Sequence, residues 1–165
     1  MRAALLALSM MALALPAIAG QPEGTAVPIG RTFPNLTPIY IVTGIFDDGA
    51  GPYTGMASSI HCFNAETTTK QIRFTVKGAG GTVVSNKLYN ITAQQDFTAS
   101  THATDMFAED GYLSEGVSLK QGTVLISATS ANIFCTAMIM SATSHAPDGI
   151  ALHMIRRNPA PGTEE

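Results

Sequence analysis

The sequence predicts an all-β protein, a single antiparallel β-sandwich of about seven to nine strands with one disulfide. Three observations lead to this prediction. Short segments rich in β-branched and aromatic residues recur between Gly- and Pro-containing turns. No long helical pattern follows the apolar N-terminal run. Two cysteines, Cys62 and Cys135, each lie in a β-rich segment, one early and one late in the chain.

Residues 122–142 form the longest weakly charged, β-rich run after the N-terminus. The polar residues 129–132 within it are typical of a bend between two strands. Alternation with a period of two places one wholly apolar set on a single face of the second strand. We expect that set to point into the core: Ile133, Cys135, Ala137 and Ile139.

Residues 71–77 show the most regular alternation in the chain, which predicts a strand with one buried face. The apolar set, which we expect to be buried, is Ile72, Phe74 and Val76. The polar set, which we expect to face water, is Gln71, Arg73, Thr75 and Lys77.

Weaker patterns complete the predicted sandwich. They cover residues 39–46, 56–63, 82–85, 91–98, 113–119 and 150–156. Residues 101–110 predict a short helical turn, with Met106 and Phe107 facing inward. The acidic segment Asp47-Asp48-Gly49 has turn chemistry. A calcium site is the alternative there, but the segment lacks the spaced ligands of an EF-hand loop.

The two cysteines predict a bridge between Cys62 and Cys135 across the core. Exported chains with two cysteines usually pair them, whereas two buried free thiols are the alternative. A bridge that closes so long a loop stabilises the fold by roughly 4 kcal/mol in the chain-entropy model.

The cysteine spacing and the rhythm of the strands resemble an immunoglobulin-like sandwich. The chain contains no tryptophan, so the tryptophan that packs on the bridge in immunoglobulin domains is missing. The resemblance therefore concerns architecture and does not extend to membership of that family.

Four regions follow from composition. Residues 1–19 have the basic start, apolar run and small residues of a secretory signal that is cut after Ala19. Residues 20–38 are a Pro-rich arm, residues 39–157 the sandwich domain, and residues 158–165 a tail. We expect an exported protein, periplasmic or extracellular, without a membrane span.

Charge narrows the range of partners. Removal of Arg2 with the signal leaves eight Lys and Arg against twelve Asp and Glu, which argues against nucleic acid and anionic membranes. No cofactor-binding motif occurs in the sequence, so no cofactor is expected. Asn35 and Asn90 each begin the acceptor pattern for N-glycosylation.

The densest polar cluster comprises His102, Asp105, Glu109 and Asp110. His102 and Asp105 are three residues apart, a spacing that places them on one side of a helical turn and lets an acid orient a base. The sequence has no Gly-x-Ser-x-Gly elbow and no Ser-x-x-Lys motif. A capped loop at the sandwich edge is therefore the simpler interpretation.

Soft ligands gather near the C-terminal strands, and such ligands suit copper. They are Met138, Met140, His145, His153 and Met154. The gaps between Cys135 and these histidines are too wide for a blue-copper site, and no pair of histidines has the local spacing of a zinc site.

These observations favour an exported, non-catalytic binding or structural module whose partner is a protein or a glycan. Two alternatives remain. One is a periplasmic metal-binding protein that uses the C-terminal His and Met residues, and the other is a small hydrolase built around His102.

Overall fold

The computed structural model describes residues 35–114, 117–144 and 148–157. The predicted signal peptide, most of the predicted arm, the tail and His145 lie outside the described residues.

Ten β-strands make up the described part of the chain, with no helix among them. They are β1 Thr37–Asp47, β2 Met56–Asn64, β3 Lys70–Lys77, β4 Val83–Ile91, β5 Asp96–Ser100, β6 Gly111–Tyr112, β7 Leu119–Ala128, β8 Ile133–Ser141, β9 Gly149–Ala151 and β10 Met154–Arg156. The all-β prediction is thus confirmed for these residues.

The strands form two five-stranded sheets whose apolar faces meet in a common core. The first sheet has the order β10-β1-β7-β3-β4, and the second has the order β6-β5-β2-β8-β9. Neighbouring strands are antiparallel except for the short β5–β6 pair, which is parallel.

The predicted disulfide joins Cys62 to Cys135, 73 positions apart in the sequence. Its position differs from the prediction. The two cysteines are directly opposed residues of β2 and β8, with Cα atoms 4.1 Å apart. Because these strands are neighbours in the second sheet, the bridge lies within one sheet and does not cross the core.

An immunoglobulin-like strand order is not confirmed. In immunoglobulin domains the first two strands are neighbours and the bridge joins opposing sheets. Here β1 and β2 belong to different sheets. The supported description is an all-β, sandwich-like fold with one disulfide.

The buried face predicted for β3 is confirmed, because Ile72, Phe74 and Val76 are fully buried. Of the residues predicted to face water, Lys77 is exposed, whereas Gln71, Arg73 and Thr75 are half-buried. Phe74 packs against Phe97 of the other sheet, with ring centroids 6.2 Å apart. Aromatic contact across the interior therefore helps to hold the two sheets together.

Residues 101–110 contain no helix, contrary to the predicted turn. Their backbone donors bond to other segments. The N–H of Thr101 donates to Ser58 O, that of Asp105 to Ala142 O, and that of Asp110 to Thr98 O. These distant carbonyls take the place of the i−4 partners that a helix needs.

Three strand predictions also differ from the structure. Apart from Leu119, where β7 begins, none of the described residues of the predicted strand at 113–119 lies in a strand. The pattern at 91–98 is interrupted by a turn in which Gln94 has a positive φ of 55°, so that β4 ends at Ile91 and β5 starts at Asp96. The predicted last strand at 150–156 is divided between the two sheets as β9 and β10. Leu152 lies between those two strands and packs against the core.

We predict that Phe74→Ala lowers the free energy of unfolding by about 3–5 kcal/mol, because it removes a fully buried aromatic ring. Thr75→Ala, next in sequence but outside the core, is expected to cost under about 0.5 kcal/mol. Urea unfolding of the two variants checks this pair. Equal losses would contradict the one-sided burial of β3.

Candidate functional site

The carboxylate of Asp47 is fully buried at the end of β1 and is the centre of a polar cluster. We call this cluster the Asp47 network; it comprises Asp47, Thr54, His102 and Ser114. The N–H of Gly49 donates to Asp47 Oδ1 at 2.8 Å, and the hydroxyl of Ser114 donates to Oδ2 at 3.2 Å. The network thus joins the turn after β1 to the segment after β6.

His102 brings two more segments into the network. Its Nε2 lies 3.0 Å from the carbonyl oxygen of Thr54, which can only accept, so Nε2 carries the proton. Its Nδ1 lies 3.1 Å from Asp47 Oδ2, but without the angle of a hydrogen bond, so this buried nitrogen has no hydrogen-bond partner among the described residues.

The loop that returns from Asp47 to β2 is closed by the next residue, Asp48. The N–H of Ala50 donates to Asp48 Oδ1 at 3.0 Å, and the N–H of Met56 donates to Oδ2 at 2.8 Å. Gly55 has a φ of 69°, and a Cβ atom at this position would collide with the Asp48 carboxylate. Both acidic side chains of the predicted turn are therefore used in building it.

A hydroxyl inside the sandwich links the two sheets near the same end. Ser58 Oγ on β2 accepts from the N–H of Phe46 on β1 at 2.8 Å and donates to the carbonyl of Phe46 at 2.9 Å. The backbone N–H of Ser58 donates to Thr101 Oγ1 at 3.1 Å. Ser58 thus pairs the ends of β1, β2 and β5 through buried hydrogen bonds.

A second polar cluster lies on the outer face of the second sheet. Ser100 Oγ donates to Ser59 Oγ at 2.9 Å, Ser59 Oγ lies 3.2 Å from His61 Nε2, and His61 Nδ1 lies 3.1 Å from Thr98 Oγ1. The ring of Phe107 contacts the imidazole edge-on, with centroids 4.3 Å apart. The loop after β5 therefore covers this row.

Burial lowers the pKa of His61, and the nearby carboxylates of Asp96 and Glu109 partly oppose that effect. A serine beside a histidine is the start of a nucleophilic arrangement. Here Ser59 is fully buried, and the group on the other ring nitrogen is the hydroxyl of Thr98 instead of a carboxylate. The side chains of this row are linked by hydrogen bonds, but the row lacks the carboxylate of a catalytic triad.

The four residues of the predicted polar cluster do not form one site. His102 contacts Asp47, and Asp105 is exposed. Glu109 Oε1 accepts from the N–H and the hydroxyl of Thr104, at 2.9 and 2.7 Å. Asp110 Oδ2 accepts from the N–H of Thr98 at 2.8 Å. Three of the four side chains thus take part in shaping the loop.

At the opposite end of the sandwich, Asn64 and Glu66 hold the loops together. Asn64 Nδ2 lies 3.0 Å from Thr68 O and 3.0 Å from Ile91 O. Glu66 Oε1 accepts from Ser130 Oγ and Asn132 Nδ2, and these hydrogen bonds lower the pKa of Glu66. Sequence patterns gave no sign of these ties, because each joins segments that are distant in the chain.

The soft ligands near the C-terminus are spread over different environments. Met140 is buried, Met138 and Met154 are half-buried, and His153 is exposed. Within residues 35–114, 117–144 and 148–157, no three His, Cys, Asp or Glu side chains are grouped as metal ligands. The same residues include no helix of the length and apolarity needed to cross a membrane.

Comparison with known proteins adds little. The chain matches no protein family and no curated protein. One solved structure that it resembles is the crystal structure of Thermotoga maritima 1070, with 12% sequence identity, a TM-score of 0.44, and coverage of 74% of this chain and 92% of that one.

We predict that His102→Ala lowers the free energy of unfolding by about 1–3 kcal/mol, since it removes a buried ring and the donor that bonds to the carbonyl of Thr54. His153→Ala removes an exposed imidazole and serves as the control, with an expected change within about 0.5 kcal/mol. Urea unfolding at neutral pH measures both variants. A His102 variant as stable as the control would show that the Asp47 network does not hold the fold.

Stability is also expected to depend on pH through His61. Its pKa is lowered in the folded protein, so the unfolded chain takes up a proton at a higher pH than the native state does. Acidification from about pH 7.5 through the ordinary histidine value of about 6.5 therefore destabilises the native protein. Replacement by glutamine removes this contribution.

The measurement is urea unfolding of the mature protein and of His61→Gln at about pH 7.5 and 5.5. The native protein should lose more stability on acidification than His61→Gln, whereas the control His153→Gln should follow the native protein. Identical pH dependence in all three proteins would rule out a contribution from His61.

Proposed function

We propose that this protein is an exported β-sandwich that acts as a non-catalytic binding or structural module, periplasmic or extracellular after cleavage near Ala19. One observation carries the proposal. Asp47 and His102 are the side chains best suited to acid–base chemistry. They are 0% and 3% exposed, and their contacts join four segments of the chain.

Catalysis by these groups is disfavoured on physical grounds. A general base must come within hydrogen-bond reach of the proton that it removes from a substrate. The ring of His102 is enclosed, and its Nε2 proton is directed at the carbonyl of Thr54. Exposing that ring would disrupt the contacts that place the loops around it.

The disulfide supports the exported location. Bridges persist in oxidising compartments and are rare in a reducing cytosol. Cys62 and Cys135 face each other on paired strands, and no other cysteine is present. Their pairing also crosslinks β2 to β8, which suits a domain that must survive outside the cell.

The exposed surface supports binding as the role. Phe63 and Phe134 are directly opposed on β2 and β8, and their side chains are 39% and 47% exposed. Exposed aromatic side chains are typical of recognition surfaces for proteins. The expected partner is a protein or a glycan, and the proposal does not depend on an immunoglobulin-like strand order.

A small hydrolase is the second candidate, because Ser59 Oγ lies 3.2 Å from His61 Nε2. It would need the loop that carries Phe107 to move, since Ser59 is fully buried in the present arrangement. The periplasmic metal-binding alternative rests on the C-terminal His and Met residues, of which His145 lies outside the described residues.

We predict that the purified mature protein contains no stoichiometric metal and that EDTA, copper, zinc and calcium leave its melting temperature unchanged. The cysteines are oxidised, and the thiolate is the form that binds metal. A bound metal at a hundredfold excess over its dissociation constant would stabilise the fold by about 2.7 kcal/mol, which raises the melting temperature of a domain of this size by several degrees.

Generic ester and glycoside substrates should be hydrolysed no faster in the presence of the protein than in buffer alone.

Two results would overturn the proposed function. A saturable rise in melting temperature that disappears in His145→Ala or His153→Ala would establish the metal-binding alternative. Hydrolysis that disappears in Ser59→Ala, while Ser85→Ala keeps it, would establish the hydrolase. Ser85 is the control because it lies on β4, away from His61.

A further inference from the structure

The described basic side chains are concentrated on one sheet, whereas the acidic side chains lie mostly in loops, with one on the other sheet. Every Lys and Arg that the structure describes lies on the first sheet or directly after its last strand: Lys70, Arg73, Lys77, Lys87, Lys120, Arg156 and Arg157. Apart from the buried Asp47, every described Asp and Glu lies on the second sheet or in a loop: Asp48, Glu66, Asp96, Asp105, Glu109, Asp110 and Asp148. The formal net charge of −3 conceals this separation.

The outer face of the first sheet combines cations with an apolar strip. Arg73 and Lys77 alternate with the buried residues of β3 and therefore point outward. Between them an outward-facing row crosses β10, β1 and β7 through the paired residues Ile155, Ile41 and Leu125. Ile155 is 54% exposed. We call this surface the cationic face.

The outer face of the second sheet carries the complementary groups. Asp96, Phe63 and Phe134 are paired in register across β5, β2 and β8, so they share one side of the sheet. Asp96 is exposed, and its charge and that of Glu109 both act on His61 in the same face. We call this surface the acidic face.

One cation reaches the margin of the acidic face. The guanidinium of Arg156 lies 4.9 Å from the ring centroid of Phe134, and its Nη2 donates to Ala131 O at 2.8 Å. This contact occupies the β8 side of the row, while Asp96 lies on the β5 side. The carboxylates are therefore concentrated toward β5.

We propose that the mature protein binds a second copy of itself, with the cationic face of one copy stacked on the acidic face of the next. Apolar side chains then meet apolar side chains, Ile155 and Leu125 against Phe63 and Phe134, with Arg73 and Lys77 opposite Asp96 and Glu109. This inference rests on the proposed function and specifies it, because it makes the module structural and its partner a further copy.

The geometry determines the type of assembly. The two faces are on opposite sides of one sandwich, so each copy in a pair still has one unused face. Such a heterologous contact does not close on itself by a two-fold axis and produces open chains of copies.

An anionic polymer or membrane would use the cationic face alone and would be repelled by the rest of a net-negative protein. A second copy uses both faces.

Salt should control the association. Ion pairs at an exposed surface are weak individually and are screened over about 10 Å at 0.1 M salt and about 3 Å at 1 M. Charge complementarity acts mainly on specificity and on the rate of encounter. We therefore expect association that is promoted by low salt and high protein concentration.

The test is sedimentation velocity of the mature protein in about 20 mM and about 0.5 M NaCl. Two variants each reverse charge on one face: Arg73→Glu with Lys77→Glu, and Asp96→Lys. Asp148→Lys is the matched control, since it makes the same charge change in the loop before β9, at the far edge of the second sheet. Melting temperatures confirm that each variant is folded.

We expect the wild-type protein and Asp148→Lys to form species larger than dimers at low salt and to dissociate at high salt. Each face variant alone should associate at least about tenfold more weakly. Mixed one to one, the two variants should associate again into species larger than dimers, because the unaltered faces match and the two charge-reversed faces are complementary to each other. That rescue also shows that both variants keep a native surface.

Three results would overturn self-association: monomers at every concentration in low salt, dimers of the wild type that stop at two copies, or association that neither salt nor the face variants change. Binding of anionic vesicles by a protein that stays monomeric would do the same. Each leaves the proposed non-catalytic function intact, whereas hydrolysis or stoichiometric metal would defeat that function whatever the state of assembly.

Discussion

The buried carboxylate of Asp47 is the constraint on which one end of this molecule depends. Burial of an ionised carboxylate is costly unless hydrogen bonds and a countercharge compensate it. Asp47 accepts hydrogen bonds from Gly49 and Ser114, and the ring of His102 lies 3.1 Å from its Oδ2, so three separate segments meet at this carboxylate. Any conformation that moves one of these segments away leaves the carboxylate uncompensated. This carboxylate therefore acts together with Asp48 and Ser58 in holding the loops at this end in place.

The disulfide and the Asp47 network act on different parts of the fold. The bridge crosslinks β2 and β8, which are already paired along nine residues of each strand, so it reinforces one sheet. Contact between the sheets depends on other groups, chiefly the apolar core and the hydroxyl of Ser58, which bonds to Phe46 on the opposing sheet. Reduction of the bridge would weaken the second sheet without removing the interactions that join it to the first.

The alternation of apolar and polar residues predicted those features of the strands that depend only on neighbouring positions in the sequence. The alternation at 71–77 specified the buried face of β3, because each side chain of a strand points to a face set by its own position. It did not predict the division of 150–156 between two sheets. That division depends on which strands have an edge available for pairing: β8 pairs with β9 through Ile139, and β1 pairs with β10 through Ile41. Sequence spacing likewise paired His102 with Asp105, whereas the partner in space is Asp47, which the turn after β1 brings beneath the loop that follows β5. Pairings of this kind depend on strand order, and the immunoglobulin-like order that the cysteine spacing indicated is not confirmed.

The distribution of charge over the surface also could not be predicted from the sequence. Net charge is a property of composition, and it correctly describes the field of the molecule at long range. A partner that comes within a Debye length meets a face and its local charges instead. In the part of the chain that the structure describes, Lys and Arg lie on strands of the first sheet or directly after its last strand, and this becomes visible only when the order β10-β1-β7-β3-β4 is known. A weakly charged, net-negative chain can therefore present a cationic surface, and the binding properties of such a domain follow from its topology as much as from its composition.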